Sequence, residues 1–384
     1  MNWQSFFNSK LKKKATNFTL FLISAALSLL MAEFVLRAVS PHNLYKSLVP
    51  LERKAVYNPY TSIYKGIDSI SYQSVNQWGY RSPSQFQSDR YGILTIGGST
   101  TYCNGLSDEE SWPWLLEKHL NEQGSADVFT VGNVGVPTFD SFHNAYQLEY
   151  IAPQFENIKM VVMLMGINDY FVGMYLNEKF TGNSQNPHAF KRTFIRLPRK
   201  AGARWYERTE TWMHLRDLRN FIRHNKNEEP SLQEHRENIQ KYLDAEKIDR
   251  LPDITLGLED YEANLRRIAK LARAQNLQLV WLTQPSLWHD GMPEEYQPLV
   301  ASGSPIVKGK SFTALVSAQA MQLYNERMMT VAQEEGVILI DLATKIPKST
   351  DYLFDNCHYT KAGSKEVANV VFGKLKGYLT TEAF

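Results

Sequence analysis

Ser99 stands in Ile96-Gly97-Gly98-Ser99-Thr100 at the end of an apolar run, and Asp355-Asn356-Cys357-His358 lies far downstream. A serine on a glycine-tight turn after a strand, with a distant carboxylate and imidazole three residues apart, is the outline of nucleophilic acyl chemistry. In that chemistry the hydroxyl attacks an ester carbonyl while the imidazole takes its proton. Each piece has a bland reading, since serine is a common helix N-cap and a histidine before a helix is commonly a surface residue. What stands between the two pieces decides.

Five apolar runs stand out: Tyr91 to Ile96, Val128 to Val131, Met160 to Met165, Leu277 to Thr283 and Val337 to Leu342. Amphipathic stretches of helical period alternate with them, at Trp112 to Leu120, Tyr261 to Ala274 and Ala314 to Gln333. Short apolar strands alternating with helices predict a parallel sheet covered on both faces. Asp108 to Ser111 offer N-caps ahead of Trp112 and Pro113, and Gly336 suits a left-handed C-cap.

Each expected strand ends in a loop carrying polar or turn residues. These are Gly97-Gly98-Ser99-Thr100, Gly132-Asn133-Val134-Gly135, Gly166-Ile167-Asn168-Asp169, Gln284-Pro285 and, beyond the fifth strand, Asp355 to His358. In an open parallel sheet the ligand crevice lies outside the carboxyl ends of the strands. Five loops at one edge therefore read as one site.

In these blocks the chain resembles the SGNH (GDSL-type) hydrolase superfamily over about residues 88–380. The family's nucleophile serine, glycine, Gly-x-Asn-Asp and Asp-x-x-His match Ser99, Gly135, Gly166-Ile167-Asn168-Asp169 and Asp355 to His358, in that order. The resemblance implies a three-layer α/β/α sandwich with a roughly five-stranded, flavodoxin-like parallel sheet. It implies Ser99 as nucleophile, His358 as base and Asp355 as orienter of the imidazole or as a cap. The N–H groups of Ser99 and Gly135 and the amide of Asn168 would form the oxyanion hole, with the glycine leaving room for substrate. The first block is Gly-Gly-Ser-Thr rather than Gly-Asp-Ser-Leu, which, with Asn76-Gln77-Trp78-Gly79-Tyr80-Arg81, resembles a membrane-anchored bacterial branch. Asp169 is expected to tether its loop, and the remaining histidines, His235 among them, to be structural or solvated. With Ser99 and His358 in contact, Cys103 and Cys357 would fall within disulfide range. A Cys103–Cys357 bond is therefore expected, against two free buried thiols.

The bulk numbers agree with a globular chain: 384 residues, 43% hydrophobic and 12% aromatic. A net charge of +2 says nothing about nucleic acid, and the chain carries no basic-aromatic pattern suited to bases. Two cysteines without metal-ligand spacing give no reason to expect a metal, and serine chemistry needs no cofactor. Lys10, Lys12, Lys13 and Lys14 precede an uncharged run from Ala15 to Ala32, extended around Glu33. This reads as a transmembrane signal anchor rather than a cleaved signal or a core helix. The lysines would stay cytoplasmic, placing the rest in the periplasm or at the cell surface.

The expected organisation is a cytoplasmic tail over 1–14, the span over 15–37, a stalk or lead-in over 38–85 and a hydrolase domain over 86–384. An insertion at about 171–253 carries no strand-like run and is expected to be helical. Within it Lys191 to Arg223 holds ten Lys and Arg against three Asp and Glu. A solvated face is one explanation; contact with an anionic polymer or lipid head groups, through Arg192, Arg196 and Arg199, is the other. The expected activity is an extracytoplasmic esterase removing acetyl or similar groups from a carbohydrate or lipid-linked substrate. The alternatives are an O-acyltransferase of a cell-surface polysaccharide and a non-catalytic scaffold.

Overall fold

Strands whose residues are apolar on both faces must be buried on both, and five such strands form the core of this chain. The computed structural model describes residues 3–39, 51–76, 81, 90–122, 128–155, 157–176, 206, 209–224, 231–301, 304, 306–307 and 309–379. These fall into two compact units, one drawn from residues 1–44 and 199–229 and the other from 45–198 and 230–384. Arg192, Arg196 and Arg199, and residues 77–80 of the block that ends at Arg81, lie outside the described residues.

In the larger unit, β1 (Leu51–Tyr57) and β2 (Ile70–Val75) form an antiparallel pair. β3 (Tyr91–Gly97), β4 (Phe129–Asn133) and β5 (Ile158–Leu164) follow, then β6 (Glu246–Ile248), β7 (Gln278–Leu282), β8 (Ile306–Val307), β9 (Lys310–Phe312) and β10 (Ile338–Ile340). The central sheet has the order β10-β7-β5-β3-β4, and every pairing in it is parallel. The chain thus builds outward from β3 in both directions. The switch in direction falls between β3 and β5, where a crevice opens beyond the strand ends in such sheets.

Among the described residues the α-helices are α1 (Trp3–Val39), α2 (Ser99–Tyr102), α3 (Trp112–Asn121), α4 (Ser141–Tyr150), α5 (Ile167–Leu176), α6 (Glu210–His224), α7 (Leu232–Asp244), α8 (Thr255–Ala274), α9 (Ala314–Glu335) and α10 (Lys361–Leu375), beside the short helical turns Gln297–Ala301 and Leu342–Lys345. Their inward residues, among them Trp112, Leu116, Tyr261, Leu265, Met321, Met328, Val367 and Val371, join the strands in one continuous core. Pro113 occupies the first turn of α3, and Gly336 closes α9 at φ 67°, both as the sequence implies.

Two short segments go beyond what periodicity can show. The lead-in contains the β1–β2 pair and buries Tyr64, Ser71, Gln73 and Arg81. The insertion supplies β6, which pairs with β9 in a small sheet of order β6-β9-β8. In the smaller unit α1 runs unbroken for 37 residues. Its Thr16–Val39 portion has a mean hydropathy of 2.1 and is long and apolar enough to cross a membrane. Helix α6 packs beside it.

Candidate active site

The turn after β3 places Ser99 at the first position of α2, where backbone N–H groups have no acceptor within the helix. Ser99 Oγ lies 2.7 Å from His358 Nε2, and His358 Nδ1 lies 2.7 Å from Asp355 Oδ2. The other carboxylate oxygen of Asp355 accepts the backbone N–H groups of Cys357 (2.9 Å) and His358 (2.7 Å). Asp355 is therefore both orienter and cap: one oxygen fixes the loop and the other fixes the ring. Phe354 stacks on the imidazole, with ring centroids 5.7 Å apart and planes 15° off parallel.

Burial by itself depresses the His358 pKa, but the adjoining Asp355 carboxylate outweighs it and holds the ring well above the usual histidine value. Burial likewise tends to raise Asp355, and the charge and N–H bonds of His358 reverse this, leaving it below the usual carboxylate range. A general base must be neutral to accept a proton. Hence kcat/KM should fall as pH drops through a midpoint displaced upward from about 6.5. Asp355→Asn removes the charge that sets the shift and should move that midpoint down. A pH–rate profile of both proteins checks this, and an unshifted acid limb in the wild type contradicts it.

The loop after β5 brings Asn168 to the same edge. Its Nδ2 donates to Phe139 O at 2.7 Å, which leaves its second N–H for another acceptor. Asp169, next in the chain, accepts the N–H and the hydroxyl of Ser141 at the start of α4. Burial and the nearby Asp140 push its carboxyl well above the usual range. The tether expected of Asp169 is thus a tie between the α5 and α4 turns. The Val136–Phe139 turn between them puts Thr138 at φ 72°, a β-branched residue in the left-handed region.

Gly135 sits beside Ser99's turn, where packing within the chain itself calls for a glycine. A Cβ there would lie 2.4 Å from Tyr102 N and 2.8 Å from Thr101 C, so the glycine lets this loop pack on the backbone of α2. Its N–H donates to Asn133 Oδ1 at 3.0 Å instead of facing outward. Gly98 carries a second constraint. A Cβ there would fall 2.4 Å from Asn168 Nδ2. Gly98→Ala should therefore displace the Asn168 amide and lower turnover about a hundredfold, the range for losing one oxyanion donor. If the mechanism is shared, adding Asn168→Ala to it costs little more. A double-mutant cycle in kcat reads this, and independent, multiplying losses would contradict it.

The expected Cys103–Cys357 disulfide is not formed. Both cysteines are free and buried. Cys103 closes α2 at φ 61° and turns its Sγ toward the carbonyls of Thr100 (3.6 Å) and Thr101 (3.5 Å). The Cys357 sulfur lies against His358 Nδ1 at 3.7 Å. Burial pushes the Cys103 thiol up to about 11 and raises that of Cys357. Asp355, Cys357 and His358 have donor atoms within 4.8 Å of one another, a grouping that could hold a metal. Both ring nitrogens of His358 already have partners, however, and a raised thiol pKa disfavours the thiolate a metal needs.

Three groups near the site have roles that their sequence context does not show. Arg81 is buried and donates to the carbonyls of Tyr102, Cys103 and Leu106 around the end of α2. Its Nε meets Asp108 at 2.9 Å. His235 of α7 is bonded to Tyr64 Oη at 2.8 Å and stacks on Tyr60 at 4.1 Å, while Tyr64 packs on Phe354 at 5.5 Å. An aromatic wall thus leads from the insertion to the imidazole of His358. Gln284 accepts from Thr100 at 3.4 Å, fastening the residue after Ser99.

A family model described as the GDSL-like Lipase/Acylhydrolase family matches residues 95–365. No curated protein matches the chain. Among solved structures it is similar to a psychrotrophic esterase from Pseudoalteromonas sp., at 12% identity over 76% of this chain and 100% of that one, with a TM-score of 0.41. It is similar to an acetyl xylan esterase, at 12% identity over 74% of this chain and 99% of that one, TM-score 0.41. A lipase/acylhydrolase from Enterococcus faecalis aligns at 12% identity over 75% of this chain and 96% of that one, TM-score 0.40.

Proposed function

The chain belongs to the GDSL-like lipase/acylhydrolase family, and on that premise we propose that it is a serine esterase removing acyl groups, acetyl foremost, from a carbohydrate or lipid-linked substrate. The observation that carries this reading is the 2.7 Å hydrogen-bond contact between Ser99 Oγ and His358 Nε2. Ser99 attacks the ester carbonyl as His358 takes its proton, and Asp355 steadies the imidazolium so formed. The oxyanion receives the Ser99 N–H and the free N–H of Asn168; the Gly135 N–H joins them once it exchanges its bond to Asn133. His358 returns the proton to the departing alcohol, leaving acyl-Ser99, which water then hydrolyses.

Helix α1 anchors the enzyme. Lys10, Lys12, Lys13 and Lys14, in α1 just before its apolar stretch, support a cytoplasmic N-terminus and a catalytic unit on the far side of the membrane. The Gly-Gly-Ser-Thr block supports the membrane-anchored bacterial branch and a cell-surface substrate. A sugar hydroxyl in place of water would make the same residues an O-acyltransferase, so the test must separate the two. The full chain in detergent is offered p-nitrophenyl esters of increasing length, with and without a polysaccharide acceptor. Hydrolysis predicts that the acetyl ester turns over fastest and that free acetate equals nitrophenol released. Acetate found on the acceptor instead indicates transfer, and no turnover of any ester overturns both.

A further inference from the structure

An acidic side chain of α1, Glu33, holds the start of helix α6. Glu33 Oε1 accepts the Glu210 N–H at 3.0 Å, and Oε2 accepts the Thr211 N–H at 2.9 Å and the Thr211 hydroxyl at 3.0 Å. Arg37, one turn on, completes the shell of the carboxylate at 2.7 Å. A carboxylate in an apolar helix is costly unless it is matched, and here the positive end of α6 together with Arg37 does so.

The depth of that junction follows from helix geometry. Glu33 lies 19 residues beyond Lys14 in one continuous helix. At the usual rise this is about 28 Å, close to the thickness of a bilayer's hydrocarbon core, about 30 Å. With Lys14 at one boundary, Glu33 sits at the other. Helix α6 therefore starts at the level of the head groups.

Its outer face suits that level. Trp212, Leu215 and Leu218 recur every three residues and are 42%, 56% and 55% exposed. Arg219 beside them is exposed as well. Tyr206 packs edge-on against Trp212 at 5.2 Å. An amphipathic helix with leucines and an interfacial tryptophan on one face and arginine alongside is the composition of a helix lying in the membrane surface.

We propose that α6 is a membrane-interface helix, seated with Trp212, Leu215 and Leu218 between the lipid head groups and the acyl chains, and held at that depth by Glu33. This rests on the reading of α1 as a membrane span. It gives the chain a second attachment to the same bilayer, with phospholipid as the partner rather than another protein.

The test uses the full chain reconstituted in phosphatidylcholine and phosphatidylglycerol vesicles. Part of the phosphatidylcholine is brominated, either near the head group or near the methyl end of its chains. Flotation with the vesicles reports the span, and tryptophan quenching reports α6. The proposal predicts a quenched component, stronger with shallow bromine, that Trp212→Phe removes. Leu215→Ser with Leu218→Ser, which keeps Trp212, should lower that component at least twofold. Equal quenching of wild type and Trp212→Phe, in protein that still floats, overturns the proposal and turns the apolar face toward a second copy or a soluble partner. Protein that does not float overturns the span, and the proposal with it.

Discussion

Ser99→Ala should lower turnover of p-nitrophenyl acetate by roughly a million-fold while leaving the protein folded, the scale of loss when a serine nucleophile is removed. The Ser99 hydroxyl meets His358 and, among the described residues, makes no other side-chain hydrogen bond, so its loss leaves the backbone of α2 in place. The N–H groups around the oxyanion survive the substitution and leave a residual acceleration over water. Steady-state kinetics paired with thermal melting reads both halves. Activity within tenfold of wild type, at an unchanged melting temperature, would contradict the assignment of Ser99.

Arg81→Met should have the largest effect on stability. The guanidinium and Asp108 are both buried, at 0% and 1% side-chain exposure, and Ser74 adds a second hydrogen bond to the same carboxylate at 2.7 Å. Breaking a buried ion pair from one side leaves an unmatched charge, which costs about 3–5 kcal/mol. Three carbonyls around the end of α2 lose their donor as well. A fall of about 5–8 °C in melting temperature follows for a unit of this size. Because the lost contacts hold the turn that bears Ser99, kcat should fall in the protein that remains folded. Arg81→Met with Asp108→Asn should recover part of the stability, since the stranded charge is gone. A shift below about 2 °C in the single variant would contradict this role of Arg81.

The strands were legible because each is a mostly apolar run of a length that suits a buried strand, and all five runs fall in the central sheet. The serine, Asn168 and Asp355 to His358 were legible because each follows such a run or precedes a helix with its own cap. What escaped depends on contacts between distant segments. Arg81 was visible only as the end of the Asn76 to Arg81 block; its role rests mostly on carbonyls, which every residue owns, so no spacing shows it. Gly135 does mark a close approach, but its neighbour is the backbone of α2, and Asn133 two residues earlier claims its N–H. The disulfide expectation treated nearness of Ser99 and His358 as nearness of their neighbours' sulfurs. The left-handed turn at Cys103 instead points its thiol at the carbonyls of Thr100 and Thr101. His235 looked like one solvated residue among many on a charged helix, and its stacking on Tyr60 joins segments 175 residues apart. The three strands of the small sheet are two or three residues each, too short to show a period.

Covalent labelling tests the central claim most directly. The full chain is treated with a fluorophosphonate, digested, and the adduct located by mass spectrometry. An activated Ser99, made nucleophilic by the His358 ring 2.7 Å away, predicts one adduct on Ser99 that His358→Ala abolishes. Natively folded protein that stays unlabelled, or that carries the adduct on another residue, would contradict the account.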